Sequence, residues 1–115
     1  MERNVTKSIT RKLISKGALI FACVASEKQS GWPDRYVSHR RWHGWIEFKG
    51  VDTVLQDNQK YIIEQLLLRN ENVVIIRETL STTVARLEDT NGNKIRNFYI
   101  DDILELLVWS IKSTV

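Results

Sequence analysis

The stretch GWPDRYVSHRRWHGWIEFK, residues 31–49, decides the fold of this chain. Its last part, WIEFK, alternates apolar and charged residues, which predicts a β-strand because successive strand side chains point to opposite faces. Glu47 and Lys49 therefore share one face. Asp34 ends a Gly-x-Pro turn and begins a second extended run, 35–38, which a short polar segment folds back beside the Glu47 strand. The pattern predicts that two carboxylates and one ammonium group lie together.

These three groups suggest metal-dependent chemistry on a phosphodiester. Two neighbouring carboxylates repel each other unless a divalent cation lies between them, and hard oxygen ligands suit Mg²⁺ or Mn²⁺. A lysine beside the cation holds or helps to deprotonate an attacking water, and it offsets charge that builds on a phosphate. A plainer interpretation is also open, in which an edge strand buries Ile46 and Phe48 and leaves Glu47 and Lys49 in water.

At these residues the sequence resembles the PD-(D/E)XK nuclease superfamily and, within it, the VRR-NUC (virus-type replication-repair nuclease) family. The likeness extends from the first predicted helix to a strand at 73–76, and the residues that carry it are Gly31, Pro33, Asp34, Glu47, Lys49 and Gln59. It implies an α/β (α+β) fold with a restriction-endonuclease-like core of order αβββαβ. A β-hairpin and a helix follow this core, and we expect residues 1–115 to form a single domain.

The resemblance also implies a role for each site residue. Asp34 and Glu47 would bind the metal, Mg²⁺ or Mn²⁺, with the backbone carbonyl of Phe48 as a further ligand. Lys49 would serve the nucleophile. Gln59, near the start of the second predicted helix, would help to place the phosphate or the lysine.

The first helix departs from the family pattern. The family usually carries a glutamate there, but Val5 and Thr6 are the residues that align here. Glu2 lies about a turn earlier and either substitutes from a neighbouring position on the helix face or makes no such contact.

Composition and charge favour a polyanionic partner. The net charge is +3, and residues 1–50 hold ten Lys/Arg against four Asp/Glu, whereas residues 51–115 hold seven against ten. Positive charge around the predicted site suits DNA, although a soluble protein with uneven charge explains the same numbers. The lone Cys23 excludes an intramolecular disulfide, and the longest apolar run is too short to span a bilayer. We therefore expect a cytoplasmic protein, in the host cytoplasm if it is phage-encoded.

The candidate DNA-binding residues combine basic groups with one flat ring. We predict that Trp45 is buried and that the tryptophan at position 42 is exposed at a hairpin tip, where it would stack on bases or pack on a partner subunit. His39 and His43 have no further ligands to complete a zinc site, but one of them could contact phosphate or shuttle a proton. The candidate residues are Arg35, Arg40, Arg41, Trp42 and Lys12.

Periodicity predicts the remaining elements. Residues Val5, Ile9 and Leu13 indicate an amphipathic first helix that Gly17 caps, and the apolar run 18–25 predicts a central strand buried on both faces. A second helix follows with its apolar face at 62, 63, 66 and 67. The Asn91-Gly92 pair indicates a hairpin over 84–99, which extends the sheet, pairs with a second subunit or contacts DNA. Asp102 and Glu105 indicate the start of a last apolar helix.

The resulting hypothesis is a divalent-metal-dependent DNA endonuclease, phage or bacterial, that hydrolyses phosphodiester bonds. The resemblance implies selectivity for branched DNA such as Holliday junctions and action as a homodimer, because a two-fold protein suits a two-fold junction. The alternative is a catalytically silent module that keeps the nuclease fold for DNA binding or assembly. A monomeric nickase or flap-cutting enzyme is a third possibility.

Overall fold

The protein folds as a mixed sheet flanked by helices, and this computed structural model describes residues 4–23 and 31–113. Helices and strands follow in the order that the sequence predicts, so the αβββαβ core with its added hairpin and helix is confirmed. A 3₁₀ turn at Ile100–Asp102 precedes the last helix. The elements are α1 Asn4–Ser15, β1 Leu19–Ala22, β2 Arg35–His39, β3 Trp42–Lys49, α2 Asp57–Leu68, β4 Val73–Glu78, β5 Val84–Glu88, β6 Lys94–Tyr99 and α3 Ile103–Ser113.

The described strands form one six-stranded sheet in the order β1-β2-β3-β4-β5-β6. Neighbouring strands are antiparallel except for β3 and β4, which run parallel. A parallel pair needs a crossover connection, and α2 provides it. The hairpin of β5 and β6 extends the sheet, which is the first of the three roles left open for it. Because α2 follows β3 directly, its N-terminus lies near the end of the strand that carries Glu47 and Lys49.

The two faces of the sheet have different roles. One face packs against α1 and α3 and holds the main core, which includes Ile9, Ile46, Ile76 and Leu107. On the opposite face, Glu47 pairs with Ile75 across the parallel strands, and α2 contributes its buried residues Ile63 and Leu66 there. This second face also carries the predicted site, so α1 and α3 support the sheet without covering the site.

Helix α1 has the predicted buried face and the predicted end. Val5, Ile9 and Leu13 are all buried. Gly17 adopts a φ of +97°, and the Ala18 N–H donates to the Leu13 carbonyl at 3.0 Å, which is the six-to-one hydrogen bond of a Schellman cap. No helix among the described residues is long and apolar enough to cross a membrane.

The prediction of a buried central strand at 18–25 is wrong. Strand β1 covers only Leu19–Ala22, lies at the edge of the sheet, and exposes 77% of Leu19 and 61% of Phe21. A continuous apolar run does not specify which strand lies on each side of it. The short β2–β3 connection gives one side of β2 to β3, so β1 takes the other side and has no further neighbour among the described strands. Residues 24–25 lie outside the described part of the chain.

The predicted exposure of Trp42 is also wrong, and it removes this residue from the DNA-binding candidates. Trp42 begins β3 and is 1% exposed in the main core. It lies two and three strand periods before Ile46 and Phe48, which point into the same core, and side chains two positions apart share a face. Trp45 has the opposite parity and is half-buried on the face of the site rather than fully buried.

We expect Trp42→Ala to destabilise the protein by about 3 to 5 kcal/mol, because it leaves a large cavity in the main core. Trp45→Ala should cost less, about 1 to 2 kcal/mol, since this ring is already partly in water. Urea unfolding followed by circular dichroism measures both values. Equal losses, or a larger loss for Trp45→Ala, would contradict the placement of these rings on opposite faces.

Candidate active site

Strand register brings Asp34 beside Glu47. Asp34 directly precedes β2, and the pairing of Arg35 with Ile46 places Asp34 opposite Glu47. The Asp34 backbone carbonyl accepts from Cys23 N–H at 2.8 Å on the other side, so Asp34 and Glu47 form a non-hydrogen-bonded pair, the kind with the closer side chains. The Asp34 carboxylate reaches across to accept the Phe48 N–H at 2.8 Å. The first carboxylate is therefore held over the strand that carries the second.

Glu47, Lys49 and Gln59 form one closed network. The Lys49 ammonium lies 3.2 Å from Glu47 Oε2 and donates to Gln59 Oε1 at 2.7 Å. The Gln59 amide group donates to the same Glu47 Oε2 at 3.2 Å. Glu47 is 2% exposed and Lys49 is 7% exposed. The plainer interpretation, in which these two charges lie in water on an edge strand, is wrong.

The start of α2 orients Gln59. Its Oε1 also accepts the backbone N–H of Gln56 at 2.9 Å, at the residue that precedes the helix. This oxygen therefore satisfies one backbone group at the helix N-terminus and the Lys49 ammonium at once. A side chain held at both ends has little rotamer freedom, so Gln59 presents its amide to the carboxylate in a defined direction.

Burial and charge raise the pKa of Glu47 to about 7. Desolvation is the largest cause and the negative charge of Asp34 is the second, whereas the ammonium of Lys49 acts in the opposite direction. Glu47 Oε1 is buried and has no hydrogen-bond partner among the described residues. This oxygen lies next to a second carboxylate and has no positive group beside it in the described part of the chain. A bound cation would supply that positive charge.

The oxygen donors here fit a hard divalent cation. Asp34 and Glu47 offer carboxylate oxygens. The Phe48 carbonyl points to the same side of β3 as the Phe48 N–H that contacts Asp34, because both backbone groups of a strand residue face one neighbour. Within residues 4–23 and 31–113, no three His, Cys, Asp or Glu side chains are grouped so that they could hold a metal ion together. Mg²⁺ commonly keeps several waters beside one or two carboxylates, so this small donor set is sufficient.

Gly31 lets the loop before Asp34 pack against α2. Its φ is +96°, and a Cβ at this position would lie 2.8 Å from the Asn58 carbonyl oxygen and 3.3 Å from Ile62. The neighbouring Pro33 is fully buried. The Gly-x-Pro-Asp turn therefore holds Asp34 through a backbone contact that only glycine permits.

Arg77 and Glu88 support the site, and the sequence analysis missed both. Arg77 donates to the carbonyls of Gly50 at 2.7 Å and Thr53 at 2.6 Å, and to Glu88 at 2.7 Å. Arg86 forms a second ion pair with the buried Glu88 at 2.8 Å. These contacts hold the connection between Lys49 and α2. A charged residue directly after the apolar run 73–76 was the available signal, but its partners depend on the strand register.

The predicted DNA-binding residues are dispersed. Arg40 and Arg41 are exposed at the β2–β3 turn, and Arg35 donates to the Asp34 carbonyl at 3.1 Å. Lys12 lies on α1, on the other side of the sheet from Glu47, where it pairs with Asp101 at 3.5 Å. The structure therefore places Lys12 away from the site, and only the arginines of β2 and its turn lie on strands that lead to it.

His39 has a structural role. It is buried, its Nε2 lies 2.8 Å from the Lys16 carbonyl, and its Nδ1 accepts the Arg41 N–H at 3.0 Å. These contacts connect the end of α1 to the β2–β3 turn, so the predicted phosphate contact is left to the exposed His43. Val5 and Thr6, at the positions where the resemblance would put a first-helix glutamate, are buried, and Glu2 lies outside the described residues.

No family model and no curated protein sequence matches this chain. Among solved structures, the chain is similar to Hjc, a Holliday junction resolvase from the archaeal hyperthermophile Archaeoglobus fulgidus, with a TM-score of 0.55 at 16% sequence identity. The match covers 85% of this chain and 98% of Hjc. The protein therefore has a restriction-endonuclease-like fold. At this identity the likeness establishes the fold alone, and any activity has to be argued from the site.

We expect Glu47→Gln to stabilise the metal-free protein at alkaline pH. Between pH 4.5 and about 7 the folded protein retains a proton that the unfolded chain has lost, so stability falls as pH rises from 4.5 to about 7 and changes no further above that. The neutral amide removes this loss, and the gain near pH 8 should be on the order of 2 kcal/mol. At pH 4.5 the gain should nearly vanish. Urea unfolding at both pH values measures it, with exposed Glu64→Gln as the control; an equal effect at both pH values would contradict the assignment.

A comparison of Gly31→Ala with Gly92→Ala isolates the close contact. Both glycines have positive φ, but a Cβ on Gly92 meets nothing within 4 Å. Gly92→Ala should therefore cost only the left-handed penalty, about 1 to 2 kcal/mol. Gly31→Ala should cost about 1 to 3 kcal/mol more, because the added methyl group meets the backbone of α2. Equal losses in chemical unfolding would contradict this role for Gly31.

Proposed function

We propose that this protein is a divalent-metal-dependent DNA endonuclease of the PD-(D/E)XK superfamily, and of the VRR-NUC family within it. The observation that carries the proposal is the closed network of Glu47, Lys49 and Gln59 beside Asp34, on the open face of a restriction-endonuclease-like sheet. Burial, a raised pKa and an unpartnered oxygen at Glu47 are features expected of a working site rather than a structural ion pair.

The side chains divide the chemistry between them. Asp34 and Glu47, with the Phe48 carbonyl, would hold Mg²⁺ or Mn²⁺, which when bound would polarise a phosphoryl oxygen and lower the pKa of a water molecule. Lys49 carries its positive charge at the carboxylate edge, where it orients the attacking water and offsets charge on the phosphate. Gln59, which lies on α2, holds the Lys49 ammonium in place by accepting a hydrogen bond from it. Hydrolysis adds water at phosphorus and breaks one phosphorus–oxygen bond of the DNA backbone.

We further propose branched DNA, such as a four-way junction, as the substrate, and a homodimer as the active form. The similar fold of the Holliday junction resolvase Hjc and the surplus of Lys/Arg in residues 1–50 support this choice. An isologous dimer places two sites about a two-fold axis, as two symmetric cuts in a junction require. Light scattering of the purified protein tests the dimer separately from the chemistry.

The deciding experiment compares cleavage of a labelled four-way junction with that of linear duplex of the same sequence, in Mg²⁺, Mn²⁺ or EDTA. We expect metal-dependent cutting of the junction, with Asp34→Ala, Glu47→Ala and Lys49→Ala each slower by about 10²-fold or more. Exposed Glu64→Ala and Lys94→Ala serve as matched controls and should retain activity.

Three results would contradict the proposal: cutting in EDTA, cutting by Glu47→Ala at the wild-type rate, or no cutting in any metal. Salt-sensitive junction binding without turnover would instead support the catalytically silent module. The buried, uncharged Val5 and Thr6 in place of a first-helix glutamate are the observation that favours this alternative.

A further inference from the structure

Four aromatic rings lie together on the same face of the sheet as Glu47. Phe21 of β1 is opposite Tyr36 of β2, and Tyr36 is opposite Trp45 of β3. The Tyr36 and Trp45 ring centroids are 5.1 Å apart, and Trp32 adds its ring 5.4 Å from Trp45. Trp45 is two residues before Glu47 on one strand, so both point to the same side. We call these four rings the aromatic surface.

The aromatic surface is open in the described structure. Phe21 is 61% exposed, Trp32 is 39% exposed, and Tyr36 and Trp45 are half-buried. Helices α1 and α3 lie on the opposite face of the sheet, and the buried residues of α2 lie on the side of β4. The rings therefore present apolar surface to solvent on the same face as the carboxylates.

The order of residues along two strands gives this surface a direction. On β2 the chain passes from Asp34 through Tyr36 to the β2–β3 turn, and on β3 it runs back from the turn through Trp45 to Glu47. At a rise of about 3.3 Å per residue, the rings lie about 7 Å from the carboxylates and the turn lies about 20 Å away. The turn carries exposed Arg40 and Arg41. A chain of phosphates that leaves the carboxylates therefore crosses the rings before it meets the arginines.

A nucleic-acid strand fits this surface better than a second copy of the protein. At these exposures the four rings offer roughly 300 Å² of apolar area, whereas a standard protein interface covers about 800 Å² on each partner. Arg40 and Arg41, at the turn beyond the rings, attract phosphates, and they oppose a second copy that carries the same charges. Aromatic rings that stack bases, with basic groups along the path of the backbone, are the usual means of binding single strands without sequence preference.

We propose that the aromatic surface stacks unpaired bases next to the cleaved phosphate. The substrate class is then DNA in which the strand is unpaired on one side of the cut, as at a junction centre, a flap or a single-stranded arm. This inference rests on the proposed endonuclease function, because only that function puts a cleaved phosphate beside the rings. The stacking itself needs no turnover and is measurable without metal.

The test measures binding of a fluorescein-labelled thymidine dodecamer and of a blunt duplex of equal length by anisotropy in EDTA. We expect Phe21→Ala and Trp32→Ala each to weaken binding of the single strand about 5- to 50-fold, and duplex binding less than twofold. Trp32→Phe should keep most of the affinity. Tyr99→Ala is the matched control, because Tyr99 is 66% exposed at the other edge of the sheet, on β6.

Unchanged single-strand affinity in Phe21→Ala and Trp32→Ala would overturn this inference, and so would an equal loss in Tyr99→Ala. Conversion of a wild-type dimer to a monomer by Phe21→Ala, seen in light scattering without DNA, would assign the surface to a second copy and overturn it as well. Failure of the proposed function looks different: the junction remains uncut in every metal, whatever the binding of the dodecamer in EDTA.

Discussion

Burial of the Glu47 carboxylate is the constraint on which the rest of the site depends. Removing a charge from water is costly unless hydrogen bonds and an opposite charge compensate for it. Lys49 and Gln59 supply that compensation to one oxygen of Glu47, at 3.2 Å each, and the other oxygen has no partner in the part of the chain that the structure describes. Lys49 comes from the same strand, but Gln59 has to be brought from the next helix. The β3–α2 connection therefore positions the site as well as linking two elements.

The ion pair of Arg77 with Glu88 stabilises the β3–α2 connection. Arg77 reaches from β4 to the carbonyls of Gly50 and Thr53 and is itself held by Glu88 of β5. The hairpin that follows the αβββαβ core is therefore more than an extension of the sheet, because its first strand supplies the carboxylate that neutralises Arg77. Loss of Glu88 would leave Arg77 without its carboxylate, whereas loss of Arg77 would leave the buried Glu88 paired with Arg86 alone.

The sheet divides stability and chemistry between its two faces. The face against α1 and α3 buries a continuous apolar core, including Trp42, and carries none of the polar side chains of the site. The other face carries Glu47 and Lys49 and the rings of Tyr36 and Trp45, with α2 covering only part of it. Such a division allows a carboxylate with a raised pKa and an unpartnered oxygen to persist, because the core on the opposite face provides the stability that these groups reduce.

Local pattern was sufficient to predict the order of helices and strands and the buried face of α1. The resemblance to a nuclease motif was sufficient to place Asp34, Glu47, Lys49 and Gln59 in one site. These features depend on residues close in sequence, on side-chain periodicity or on a motif. Tertiary structure alone decided that the apolar run at β1 forms an edge strand, that Gln59 bonds both Glu47 and Lys49, and that Arg77 finds Glu88. Alternation and a short turn fix the face and the register of a hairpin such as β2–β3, but they do not specify which strands become neighbours when the chain between them is long.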